Sequence, residues 1–93
     1  MAQNSQNVQN KPVKVFRYRG ISASVFENTT YADNQPVRFF KVSLQRAFKR
    51  DGKFEHNSSF GRDDIPVAKR VLDQAWQFIL ETEAASTADT NQE

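Results

Sequence analysis

Only the middle of this chain can build a core. Residues 1–10 (MAQNSQNVQN) and residues 82–93 (TEAASTADTNQE) are polar stretches with almost no core-forming side chains. Neither can bury enough apolar surface to offset the entropy of ordering it. Both are therefore expected to be disordered tails, the second acidic, around a single domain at 11–81. A unit of about seventy residues buries only roughly 60% of the surface its unfolded chain exposes, so it is marginal alone. There is no cysteine for a disulfide, and the one histidine argues against a structural metal site. Association of two copies is the remaining way to enlarge the core, so a homodimer is expected. No apolar run is long enough to span a membrane, and the N-terminus lacks the basic start and hydrophobic stretch of a secretory signal. The cytoplasm is the expected compartment.

Four extended segments and then one helix can be read. Residues 13–19 (VKVFRYR) alternate and end at Gly20. In 21–26 (ISASVF), Ile21, Ala23 and Val25 share one face, and Ser22, Ser24 and Phe26 the other. The stretch 27–36 (ENTTYADNQP) reads as a loop by composition. In RFFKVSLQRAFK (38–49), Phe40, Val42, Leu44 and Phe48 form a core face on which Arg46 is the exception. Phe39, Lys41, Ser43, Gln45, Ala47 and Lys49 form a wet face. Asp51-Gly52 then supplies the positive φ of a hairpin turn into KFEHNSSF (53–60).

Two registers fit that hairpin. A two-residue turn pairs Lys49 with Phe54 and Ser43 with Phe60, leaving both aromatics on the wet face. A three-residue turn with a glycine bulge pairs Phe48 with Phe54 and Val42 with Phe60, placing both in the core. The bulged register is preferred because it buries two more phenylalanines. Beyond it the helix is the clearest element. Asp63 or Asp64 can cap it, Pro66 suits its first turn, and Ala68, Val71, Leu72, Ala75, Phe78 and Ile79 make one apolar stripe. Trp76 and Leu80 widen the stripe, which fits a dimer contact and equally fits core packing. The expected fold class is α+β: a four-stranded, mainly antiparallel sheet followed by one C-terminal amphipathic helix packed on one face, dimeric.

Catalysis finds little support, and no enzyme is expected. A serine triad would have to use His56, and Glu55 beside it points to the opposite face of the strand. The carboxylates Asp63 and Asp64 sit where a helix cap is needed. Gly20, Gly52 and Gly61 read as turns or bends, and no glycine loop cradles a phosphate. No cofactor and no small-molecule substrate are expected.

Charge points elsewhere. All thirteen Lys and Arg residues lie between Lys11 and Arg70, interleaved with nine of the eleven aromatics. Residues 11–80 hold those thirteen against seven acids, a net of +6, and residues 81–93 hold four acids and no base. Single-stranded nucleic acid needs cations along its phosphates and flat side chains on which bases stack. Arg17, Arg19, Arg38, Lys41, Arg46, Lys49, Arg50 and Lys53 are the expected phosphate contacts, and Tyr18 and Phe39 the expected stacking partners. Arg17 and Arg19 are expected to share one strand face, with Tyr18 or Phe16 beside Arg17. The helix is nearly neutral, with Lys69 and Arg70 against Asp73, so the sheet is the expected surface. The blander reading is a solvated sheet whose cations prevent edge-to-edge association. The alternative function is a protein–protein interaction module acting through the sheet edge or the helix stripe.

The order of four strands and a helix, with a basic sheet, resembles the single-stranded-DNA-binding coactivators called positive cofactor four, and more distantly the Whirly proteins. The run KVSLQRAFKRDGKFEHNSSFGRDDIPVAKRVLDQAWQFI (41–79) is also similar to small uncharacterised bacterial proteins. The coactivator resemblance implies a homodimer formed largely through the helices, with basic ridges that hold unpaired strands. Arg17, Arg19, Lys41 and Lys49 match the kind of position that family uses. The chain departs from it at SSFGRDD (58–64), where the family has a Lys-Gly-rich loop. The expected function is binding of single-stranded nucleic acid, chiefly DNA, with little sequence preference, in the cytoplasm and associated with the nucleoid.

Overall fold

The computed structural model describes residues 11–91, with side chains through Ala85. The tail expected at 1–10 lies outside the described residues, as do the last two. Strands β1 (Lys14–Tyr18), β2 (Ile21–Ala32), β3 (Gln35–Arg50) and β4 (Lys53–Asn57) form one antiparallel sheet in chain order. A single 3-10 turn (Arg62–Asp64) leads into one helix, α1 (Ile65–Asn91). This is the expected α+β arrangement.

Three tight turns set the sheet. In each, both central residues have positive φ: Arg19 and Gly20 at 51° and 79°, Asp33 and Asn34 at 54° and 64°, Asp51 and Gly52 at 53° and 79°. Two-residue turns of this hand match the right-handed twist of the strands they join. The Asp33-Asn34 turn corrects the loop expected at 27–36. Asp and Asn tolerate the left-handed region, so Ala32 pairs with Gln35 and the ribbon runs unbroken to its tip. Both faces of that ribbon end meet water, so its strands need no apolar alternation.

The bulged register at Asp51-Gly52 is overturned. Lys49 stands opposite Phe54 and Phe48 opposite Glu55. Phe54 is therefore on the wet face, with 70% of its surface exposed. Strand β4 ends at Asn57, so Ser43 never meets Phe60. The chain instead leaves the sheet and folds Phe60 back against the core. Turn chemistry decides the register, and the loop after β4 recovers one of the two burials that favoured the bulge.

The core lies on one face only. Ile21, Ala23 and Val25 of β2 pack with Ala68, Val71 and Ala75 of α1, and all six are buried. Alanines on both sides let helix and sheet approach closely. Phe16, Phe40, Leu44, Phe60 and Phe78 surround this cluster, and Phe16 meets Phe78 edge to face at 6.2 Å. The helix rests chiefly on β2 and β1 and much less on β3. At its entry the Gly61 N–H donates to the Asp64 carboxylate at 2.9 Å, so Asp64 is the capping acid and Asp63 pairs with Arg62 instead.

The helix continues to Asn91, past the boundary expected at residue 81. Glu81, Glu83, Ala84 and Ala85 are good helix formers, and adding residues to an existing helix needs no new nucleus.

The register has a direct check in urea unfolding. Ile21→Ala should cost about 2–5 kcal/mol, as for other buried large-to-small changes. Phe54→Ser should stay within about 0.5 kcal/mol, as for exposed positions. A loss at Phe54 as large as that at Ile21 would restore the bulged register.

Candidate nucleic-acid interface

Side chains alternate across a strand, so a sheet covered on one face sorts its residues into two sets. The helix side takes Phe16 and Tyr18 of β1, Glu27 of β2 beyond the core residues, and Arg38, Phe40, Arg46, Phe48 and Arg50 of β3. The other face carries Arg17 from β1, Phe26 from β2, Phe39, Lys41 and Lys49 from β3, and Phe54 and His56 from β4. Ser22, Ser24, Ser43 and Gln45 fill its centre. No described element packs on this face.

Among the described residues, the strands contribute no carboxylate to that face. The only acids within the strands, Glu27 and Glu55, pair across from Phe40 and Phe48 and so lie on the helix side. Asp33 and Asp51 are in turns. The cations divide in the same way. On the helix side each β3 arginine has an acid: Arg38 with Glu27 at 3.1 Å, Arg46 with Asp64 at 3.8 Å, Arg50 with Glu55 at 3.8 Å. Arg46 also donates to the Ser59 carbonyl at 3.0 Å and lies 5.0 Å from the Phe48 ring centroid. It fastens the loop after β4 to the sheet. On the open face Arg17, Lys41 and Lys49 have no ion pair among the described residues.

Rings stand beside these cations. The Lys49 ammonium is 5.6 Å from the Phe54 centroid, and Lys41 is paired directly opposite Phe26. Phe39 lies further along β3 on the same face, opposite Asn28. Lys41 and Lys49 are separated along β3 by roughly 26 Å, at about 3.3 Å per residue. A surface of that length can follow several phosphates and offer the bases three separate rings.

Of the residues expected to touch nucleic acid, the structure brings Arg17, Phe39, Lys41 and Lys49 to this face. Arg38, Arg46, Arg50 and Lys53 fall on the opposite side of the sheet. Tyr18 does too, and Phe16 with it. Arg19 is in the first turn and not in a strand, so it does not share a face with Arg17. Phe26 and Phe54 are the residues that sequence reasoning left out. The two-residue reading of Asp51-Gly52 was the signal that pointed to Phe54.

Among the described residues no group of His, Cys, Asp and Glu is arranged to hold a metal ion, and no helix is long and apolar enough to cross a membrane. No protein-family model matches the chain, and no curated protein or solved structure does.

The two sets of cations should behave differently in the free protein. Arg46→Gln removes a charged hydrogen bond and a half-exposed ion pair, and should lower stability by about 1 kcal/mol. Lys41→Gln and Lys49→Gln should each stay within about 0.5 kcal/mol. Thermal or urea unfolding of the three variants reads this directly. Equal losses would mean that the open-face lysines are structural.

Proposed function

We propose that this protein binds single-stranded nucleic acid, chiefly DNA, on the open sheet face, with little sequence preference. One observation carries the reading: among the described residues, a face on which no element packs and to which the strands contribute no carboxylate presents three cations without an ion pair and three phenylalanines. Arg17, Lys41 and Lys49 contact phosphates, and Phe26, Phe39 and Phe54 stack on bases, each stack contributing about 1–3 kcal/mol. Stacking accepts any base, which is why little sequence preference follows.

Lys41 is paired with β2 alone and Lys49 with β4 alone, so both stand on open stretches of β3, where cations also keep strand edges from pairing. Protection alone does not call for strands that exclude acids from this face, since mixed charge keeps a surface soluble. The helix offers no basic stripe for a duplex groove. The protein would act in the cytoplasm, with the nucleoid, and needs neither cofactor nor small-molecule substrate for this activity.

We further infer a homodimer through the helix. Ile65, Leu72, Trp76 and Leu80 are all exposed on α1, Trp76 by 61%, and Val42 of β3 on the same side of the sheet is left open by the helix. A two-fold axis places this patch on its own copy, as a self-complementary interface requires. The patch is on the side of the sheet away from the binding face, so both binding faces stay free in the dimer. That arrangement accords with the coactivator resemblance.

Fluorescence anisotropy with labelled single-stranded and duplex oligonucleotides across a salt series tests the reading. Single strands should bind at micromolar or tighter affinity and more tightly than duplex. Log K should fall against log[salt] by about 0.7 per phosphate contact. The Lys41→Glu/Lys49→Glu double variant should lose binding while light scattering still reports the mass of two chains. Trp76→Glu should instead yield single chains. Absence of binding at low salt would refute the proposal.

A further inference from the structure

On the edge of the sheet, away from the open face, two guanidinium groups from different elements converge on one ring. Arg19, in the β1–β2 turn, lies 5.3 Å from the Tyr18 ring centroid, and Arg70, on α1, lies 5.1 Å from it. Neither arginine has a carboxylate partner among the described residues. Arg70 also borders an open depression lined by Pro66, Lys69, Asp73 and Gln74, and Asp73 forms no ion pair with it. Two like charges gathered on one ring without an acid repel each other, and a bound anion is what relieves that repulsion.

The backbone gives a second reason to look here. The other two turns of the sheet have Asp33 and Asp51 at their first positive-φ position, residues that tolerate the left-handed region. The first turn has Arg19 there, at φ 51°. A long side chain gains nothing locally from that conformation, and a backbone held at such a position is a pointer to function. What the conformation achieves is to carry a guanidinium to the Tyr18 ring.

We propose that Tyr18, Arg19 and Arg70 form a second phosphate-binding site, which takes a phosphodiester of the same single strand after it leaves the open face. The inference rests on the single-strand reading given above. The path is continuous: β1 is an edge strand, Arg17 sits on its open face, and Tyr18 and Arg19 follow directly around the edge. A strand lying across the open face that passes over this edge meets Arg19 and Arg70 next. The site therefore sets the length of strand the protein occupies, and gives the bound strand a preferred exit.

Two oligonucleotide lengths separate the sites. An oligothymidylate of about six nucleotides fits the open face, and one of about fifteen reaches past the edge, both within the range of small single-strand-binding folds. The wild-type protein should bind the longer strand more tightly and with the steeper salt dependence. Arg19→Asn, which places a residue suited to positive φ in the turn, and Arg70→Gln should fold as well as the wild type. Combined, they should flatten the salt slope of the longer strand by about 0.7, for the one phosphate no longer neutralised, and leave the short strand unchanged. An unchanged slope on the longer strand would overturn the second site while the open-face reading stands. Equal weakening of both lengths would show that these arginines belong to the primary surface, which also overturns it. Failure of the wild type to bind either length would overturn both readings.

Discussion

The packing of β2 against α1 decides what every other residue of the sheet can do. Ile21, Ala23 and Val25 meet Ala68, Val71 and Ala75 in an interface built from small and branched side chains, all of them buried. Once those three positions of β2 face the helix, the pleat assigns every residue of β1, β3 and β4 to one side or the other. A slip of one residue anywhere in the pairing would exchange the two faces. The serines at 22 and 24 reinforce the choice, since neither could replace Ile21 or Val25 against the helix without leaving a hydroxyl buried. The open face is thus a consequence of the core.

Electrostatics follow that division. The helix side has the acids and uses them, pairing each arginine of β3 with a carboxylate across the sheet or from the helix entry. Such exposed or half-exposed pairs contribute little to stability individually, about 0–1 kcal/mol. Their greater effect is to remove those arginines from contention as ligand contacts. The open face receives cations and no acids, so its potential is not cancelled locally. A chain whose net charge is only +2 thereby gathers three cations and no strand acid on one side. Phenylalanine on that side, half-buried at Phe26 and largely exposed at Phe54, supplies the flat apolar surface that phosphate-binding cations alone lack.

Much of this was legible in the residues. The alternation in 38–49 separates Phe40, Val42, Leu44 and Phe48 from Phe39, Lys41 and Lys49, and it marks Arg46 as an intruder on the core side; the Asp64 carboxylate and the Ser59 carbonyl are what it meets there. The same parity puts Arg38 and Arg50 with Arg46 and away from Lys41, a distinction that counting positive charge overlooked. Other features needed coordinates. The strands at 27–36 have water on both faces and show no apolar period, so only the tolerance of Asp33-Asn34 for positive φ announces the turn. Phe54 looked like a core residue because burial of a phenylalanine outweighs most local preferences, yet here the Asp-Gly turn and the Glu55 partner of Arg50 hold it out in water. The meeting of Arg19 and Arg70 on Tyr18 joins a turn near the start of the sheet to the C-terminal helix, and no local pattern shows it.

The phenylalanines provide the most direct test of the central claim, because the fold divides them cleanly. Phe26, Phe39 and Phe54 belong to the open face, and Phe16, Phe40, Phe48, Phe60 and Phe78 to the helix side or the core. Ring resonances of all of them can be followed by NMR as an oligothymidylate is added. Binding on the open face predicts upfield shifts and contacts to base protons at Phe26, Phe39 and Phe54, with the remaining rings unmoved. Shifts confined to the helix-side rings, or no shift at the open-face rings under conditions where the strand is bound, would contradict it.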